Sequence, residues 1–416
     1  MKIKNLITIP ANGKKDNSFV GIKIRNNKIE FHYPETYVLS NDDELLRNDI
    51  LAILRTISLS GTLSEDKSSY NTDFNGDFVF PIKSYLWIIN DYLLHGRYEN
   101  KEKVFEVNTK GKINWKRTIK SNPIINNGNV IYTDIVYERK NQKDNILTEI
   151  YNVCVKVSID NIGWLYNLTF DTNGINYDQL LNIRKKTYIS TLKTEISHTF
   201  EDTKKIRLQN MLNVIMGLDE NMSDTNDIVY GVDSYENVYE RMIDNMFSNI
   251  KNIKEFYPSA TWDLIKEKKP KNSSNLRPDT ILIKDNKVYI LDAKYYRYGT
   301  TFSISDIPET TSIQKQITYG EYIKKVKIGI YDDVFSAFVM PYSKIKNIYN
   351  DELKNNMEFV GIATAKWYDS TNTNSRRIAG ILIDTNYLIN NWINKDEDNL
   401  NSIIKLIEDN VIGYIR

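Results

Sequence analysis

A single cysteine, Cys154, stands in 416 residues. That excludes a disulfide framework and any thiolate zinc cluster, and it fits a reducing compartment, with the thiol expected in the core. Histidine is nearly as scarce: His32, His95 and His198 lie far apart, without the spacing of metal ligands or of an HNH nuclease. Long hydrophobic runs are missing. No segment approaches about 18 uninterrupted apolar residues, and the apolar run in the opening "MKIKNLITIPANGKK" is too short for a signal peptide, so a soluble, cytoplasmic protein with no membrane partner is expected. Neither sign of charge dominates, with 55 Lys and Arg against 54 Asp and Glu. No overall cationic field draws nucleic acid, and contact with a polyanion has to come from local patches. The GxxxxGK[ST] loop that cradles nucleotide phosphates is lacking, and so is a GxSxG turn for acyl transfer.

What is there alternates strand and helix throughout. "SFVGIKIRNNKIEFHY", residues 18–33, alternates apolar and polar around Asn26-Asn27 and predicts a hairpin. From Asn41 to Ser60 the apolar positions Leu45, Leu46, Ile50, Leu51, Ile53, Leu54 and Ile57 follow a helical period behind an Asn/Asp cap. A Ser-rich loop over 60–77 precedes the aromatic helix "PIKSYLWIINDYLLHG". Next come the basic segment 108–123 and the strand pair in "NNGNVIYTDIVYERKN", and then helical periodicity from about Asn145 to Gly217. After a polar break, a helix at about 234–248 leads into strands that alternate with helices. The fold expected is α+β and multidomain: a small N-terminal α+β region over 1–105 for partner or DNA binding, a basic strand segment and helical region over 106–230, and a C-terminal α/β core with a mixed sheet over 231–416.

The chemistry gathers in "RPDTILIKDNKVYILDAKYY", residues 277–296. Side chains alternate along a strand, so Asp292 and Lys294 share a face while Ala293 points the other way, toward the core. Strands over 280–284 and 287–293, turning at Asp285-Asn286, bring Asp279 back beside Asp292. Two adjacent carboxylates repel, which raises a pKa or demands a cation, and Mg²⁺ takes oxygen ligands. With Lys294 to orient water and stabilise developing charge, the set suits phosphodiester hydrolysis. A plainer reading of the same residues is a solvent-facing ion pair beside a Pro-Asp turn.

Further candidates surround this centre. In "DSYENVYERMIDNMF" the residues Val238, Met242 and Met246 form a buried stripe, Glu240 is a candidate third metal ligand, and Asp233 with Glu236 fits a capping box. Gln316 and Tyr319 share a helix face in "SIQKQITYGEYI", placing an amide and a phenol toward the attacking water or the DNA backbone. "KEKKPKN", 266–272, offers Lys268, Lys269 and Lys271 to phosphates. Lys110, Lys112, Trp115, Lys116 and Arg117 form a second basic patch, for DNA, for partner carboxylates, or simply for solvent.

With these residues in view the chain resembles the PD-(D/E)XK nuclease superfamily, with Asp279, Asp292 and Lys294 as its signature and Gln316 as a further catalytic residue. "ILDAKYY", "QKQITYGEY" and "AFVMP" look like the C-terminal nuclease of McrC-type restriction subunits. "KGKINWKRTIK" and "FPIKSYLWIINDYLLHGRY" are similar to segments of the LlaJI family of restriction endonucleases. The resemblance spans roughly residues 80–345 and departs from the usual Gln-xxx-Tyr spacing at Gln316 and Tyr319. It implies a Mg²⁺-dependent DNA-cleaving component of a restriction-modification system that defends against foreign double-stranded DNA. Its implied companions are a cognate methyltransferase and a McrB-like AAA+ GTPase that binds the GTP or ATP, docking on residues 1 to about 230. A self-sufficient type II endonuclease and a non-catalytic subunit that activates a GTPase ring are the alternative readings.

Overall fold

The computed structural model describes residues 6–13, 17–25, 28–60, 82–98, 101–126, 129–142, 146–171, 174–217, 228–250, 252–267, 269–349, 352–367, 374–412 and 414. Helices and mixed sheets make an α+β protein, as the patterning predicts, and among the described residues no helix is long and apolar enough to cross a membrane. The chain forms two compact units, one of Met1–Asp77 with Thr225–Arg416 and the other of Phe78–Asp224. The first is therefore discontinuous in sequence, which boundaries at 105 and 230 do not capture.

The physical cause lies in a four-stranded sheet ordered Leu6–Ala11, Lys28–Pro34, Val20–Arg25, Ile228–Val232. Val20–Arg25 and Lys28–Pro34 are the expected hairpin; its Asn26-Asn27 turn, like the predicted loop 60–77 from residue 61 on, lies outside the described residues. The strand after the excursion, Ile228–Val232, pairs with Val20–Arg25 so closely that Gly21 faces Gly231. A Cβ on Gly21 would lie 2.1 Å from the Tyr230 carbonyl oxygen, so only glycine fits there, at a φ of +150°. Helix Asp43–Ser60 starts where Asp42 accepts hydrogen bonds from the Glu44 and Leu45 amides, and it buries Ile50, Leu51, Ile53, Leu54 and Ile57, while Leu45 stays exposed.

These N-terminal elements are tied to the C-terminal core. Arg297 grips Glu35 with two hydrogen bonds of 2.7 and 3.2 Å, Thr36 and Thr385 share a buried one of 2.7 Å, and Val38 and Asn386 exchange two more. The core is a five-stranded mixed sheet ordered Thr280–Lys284, Lys287–Ala293, Asp333–Tyr342, Ile378–Asp384, Met357–Ala363. Its two outer pairings are antiparallel and its two inner ones parallel. On one face Ile281, Val288, Ile290 and Val334 pack against Tyr319 and Ile323 of the crossover helix Thr310–Val326. Helices Tyr235–Phe247 and Glu397–Val411 are held to the other residues of the first hairpin, through Thr280 to Asp244 at 3.2 Å and Lys287 to Glu408 at 2.7 Å.

The second unit carries helices Ile82–His95, Ile146–Ile162, Tyr177–His198 and Asp202–Met216, the helical middle expected from the periodicity, and Cys154 is buried there. Asp91 is its polar centre. It accepts from Arg207 at 2.9 and 2.8 Å and from the Tyr151 hydroxyl at 2.9 Å. Burial pushes this carboxyl up, but Arg207 and Tyr151 outweigh burial and hold it below its ordinary range.

Candidate active site

The hairpin that carries the expected chemistry turns at Asp285 and Asn286, both left-handed, at φ +48° and +59°. Two such residues make the tight turn whose twist matches the flanking strands, and the register then runs from Lys284 opposite Lys287 to Thr280 opposite Leu291. One step further on, Asp279 meets Asp292. The Ala293 amide donates to Asp279 Oδ2 at 3.1 Å, which fixes the Asp279 carboxyl beside that of Asp292. Lys294 Nζ lies 2.6 Å from Asp292 Oδ2, and its amide donates to the Val339 carbonyl at 2.9 Å, extending the parallel pairing past the strand's end.

Burial is the largest influence on Asp279, followed by the charge of Asp292, their shared hydrogen bond and the charge of Glu240. Together these raise its pKa far above the carboxylate range. Burial pulls Lys294 down, but Asp292 and Asp279 more than reverse this, so the ammonium is held firmly protonated. Glu240 keeps solvent access on helix Tyr235–Phe247 and is raised by desolvation and by Asp292. The stripe Val238, Met242 and Met246 is buried as expected. The capping box is not formed: the helix begins after Ser234, with no side-chain cap hydrogen bond.

The plainer, solvent-facing reading of the strand end does not hold: Asp292 is only 8% exposed and Ala293 is half-buried, so the charged face is covered. The crossover helix covers it, with Tyr319 and Ile323 on Ile281, Val288 and Ile290. Tyr319, expected to touch the DNA backbone, has its ring in this apolar cluster and donates its hydroxyl to the Arg277 carbonyl at 3.0 Å. Burial, then Asp292 and Asp279, push its pKa up to about 12. Gln316, one turn earlier, is wholly buried, and neither its Nε2 nor its Oε1 has a hydrogen-bond partner. Unpaired amide atoms in a dry interior cost free energy.

Among the described residues no group of three or more His, Cys, Asp or Glu side chains is arranged to hold a metal ion. The charge of Glu240 bears on the pair by helping to raise Asp279. The pair itself suits a hard divalent cation, since Mg²⁺ commonly takes one or two carboxylates and keeps several waters. Burial and the neighbouring charges of Asp292 and Glu240 push Asp279 up, the mark of crowded negative charge of the kind a cation would relieve.

Lys269 and Lys271 are exposed on a small ribbon just before Asp279, and Lys268 lies outside the described residues. Lys110, Lys112, Trp115, Lys116 and Arg117 are exposed in the other unit, where the Arg117 guanidinium stacks 3.7 Å over the Phe105 ring. Two contributors were missed from the sequence. Asp244, raised by burial, sits one turn beyond Glu240, a spacing of four that was there to see. The Arg277 carbonyl carries no signal in a side-chain pattern.

Set beside known proteins, residues 19–370 match the profile of the LlaJI restriction endonucleases. The chain belongs to the LlaJI restriction endonuclease family. It is 24% identical over 386 residues to the Type II restriction enzyme BsuMI component YdjA of Bacillus subtilis (strain 168), covering 87% of this chain and 80% of that one. Among solved structures it is similar, at 16% identity and a TM-score of 0.42, to a chain in a half-complex from the tetradecameric assembly of Thermococcus gammatolerans McrB AAA+ hexamers with bound McrC; 93% of this chain and 83% of that chain are covered. For this LlaJI-family member, Asp279, Asp292 and Lys294 form the one predicted set that the fold brings into direct contact.

Proposed function

We propose that this chain is the DNA-cleaving subunit of a restriction-modification system, a PD-(D/E)XK nuclease that hydrolyses phosphodiesters of foreign double-stranded DNA with Mg²⁺. The observation that carries the reading is the convergence of Asp279, Asp292 and Lys294 at the end of an apolar hairpin, within a restriction endonuclease family. Asp279 and Asp292 would hold the ion. When bound, Mg²⁺ supplies charge neutralisation at the scissile phosphate and acidifies its bound water.

The chain's own residues do the rest. Lys294, whose ammonium form Asp292 and Asp279 favour, serves as a donor that orients the attacking water and stabilises charge developing on the phosphate oxygens. Asp292 fixes the Lys294 Nζ in place. The buried amide of Gln316, with donor and acceptor both uncommitted, is available to hold a water or phosphate oxygen once the substrate is seated. Tyr319 keeps the Arg277–Asp279 backbone in position through its bond to the Arg277 carbonyl.

The motor in this reading is a McrB-like AAA+ GTPase on a separate polypeptide, and a cognate methyltransferase completes the system. The missing nucleotide loop supports the division of labour, as does the relative's description as a component of a Type II enzyme. The test is plasmid cleavage in Mg²⁺ by the chain alone, by the chain with its AAA+ partner and nucleotide, and by the Asp292→Ala form of each. Cutting only with partner and nucleotide is expected. Cutting by the chain alone indicates a self-sufficient endonuclease, and no Asp292-dependent cutting in any arm indicates a regulatory subunit.

A further inference from the structure

Between Phe256, which is buried in the core, and Asp279 the chain makes an excursion away from that core. Thr261–Trp262 pairs antiparallel with Lys271–Asn272, and the stem continues through Ser273 N to the Ala260 carbonyl at 2.7 Å and Leu276 N to the Pro258 carbonyl at 3.0 Å. The result is a narrow ribbon, closed near its tip by the Glu267 amide on the Leu264 carbonyl at 2.9 Å. Its base runs straight into Arg277, whose carbonyl is fixed by Tyr319, and then into Asp279. The ribbon is therefore anchored to the catalytic hairpin.

The tip is unusual in what it exposes. Ile265 is fully exposed, at 105% of its reference area, Trp262 is 63% exposed and Leu264 43%. Three apolar side chains within four positions face solvent on an element with no core of its own, and such patches mark binding surfaces. Lysines surround them. Among the described residues of the ribbon Lys266, Lys269 and Lys271 are exposed beside Asp263 and Glu267, and Lys271 lies 3.5 Å from Glu267. Apolar points set among cations, on a projection from a phosphodiesterase-like centre, match a duplex: phosphates for the lysines, a base step for the wedge.

We propose that this ribbon grips the DNA beside the cleavage site and inserts Ile265, supported by Leu264 and Trp262, between base pairs in the minor groove. The proposal rests on the nuclease reading above. The seven steps from Pro258 to Ile265 reach at most about 23 Å at ~3.3 Å per residue. At ~3.4 Å per base pair the distorted step lies no more than about seven base pairs beyond the base of the ribbon.

The experiment uses the full-length Asp292→Ala chain, with its AAA+ partner and nucleotide where cleavage requires them, bound to duplexes carrying 2-aminopurine at successive positions. The expected result is a fluorescence rise confined to one step on one side of the cut. Ile265→Ala removes it and, in the otherwise native chain, lowers cleavage on the order of ten-fold. Lys266→Ala or Lys269→Ala reduces the salt slope of binding by about 0.9 each while leaving the unstacked step in place. If the native chain cuts DNA but all three variants match it, the ribbon proposal falls alone. If the native chain neither binds nor cuts DNA in any arm, both readings fall. If Ile265→Ala instead changes the sedimentation of the chain or of its complex, with the DNA signal intact, the tip meets protein and the proposal is overturned.

Discussion

Asp279→Asn is expected to stabilise the metal-free protein while abolishing its activity. Burial, the Asp292 charge, their shared hydrogen bond and the Glu240 charge all oppose ionisation of Asp279. Burial is the largest of these and the Asp292 charge the next, while Lys294 offsets the least, so the net cost of ionising Asp279 is on the order of several kcal/mol. The sign follows from the raised pKa. The folded chain keeps a proton that the unfolded chain releases near pH ~3.9, so wild-type stability is highest below that pH and declines as pH rises through the folded value. Asparagine carries no such titration, and it still accepts from the Ala293 amide. Urea denaturation with a chelator at pH 4, 7 and 9 should therefore show no difference at pH 4 and a growing advantage for Asp279→Asn above it. Adding Mg²⁺ should stabilise the wild type and leave the variant unchanged, because a ligand stabilises only the form that binds it. A variant less stable than wild type at pH 9 without metal, or an equal response of both to Mg²⁺, would refute the charge argument.

Lys294→Ala is expected to lower cleavage by at least ~10³-fold, with DNA binding and the melting transition kept, because it removes a donor needed at the transition state; plasmid cutting and anisotropy measure the two. Gln316→Leu removes two buried, unpartnered polar atoms, so stability in urea should rise by about 1–3 kcal/mol while cleavage falls. A gain in stability with full cleavage would assign that amide no role. Tyr319→Phe keeps the ring in its cluster and loses one hydrogen bond to the Arg277 carbonyl, a cost of about 1 kcal/mol with a smaller loss of cleavage than Lys294→Ala. Arg297→Ala should cost roughly 1.5–3 kcal/mol by leaving the half-buried Glu35 carboxylate without its fork, again readable in urea.

Much of the site was legible because its information is local. Asp285-Asn286 between two apolar runs sets a two-residue turn; the turn sets the register, and the register alone puts Asp279 beside Asp292. The helices at 43–60, 235–247 and across 146–217 were equally readable from their apolar periods. The capping box at Asp233 and Glu236 failed because a pattern of residue types does not guarantee a cap when neighbouring packing decides where the first turn begins. The covering of Tyr319 and of the charged strand face was not legible for a related reason. Polarity suggests exposure, but a crossover helix laid over a parallel pair buries whatever lies beneath it.

By itself, then, the sequence determined the α+β pattern, the apolar hairpin and the two carboxylates and lysine that it brings together, since each follows from periodicity or turn chemistry within about twenty residues. Only the tertiary structure decided that Ile228–Val232 returns to pair with Val20–Arg25, so that the N-terminal strands and the C-terminal core share one unit. Strand pairing across some two hundred residues depends on which edges remain open after local folding, and no local pattern encodes it. Tertiary packing likewise decided that helix Thr310–Val326 lies over the hairpin's apolar face, burying Tyr319 in its cluster and the Gln316 amide without a partner. Burial, ahead of the neighbouring charges, is what lifts Asp279 above the ordinary carboxylate range.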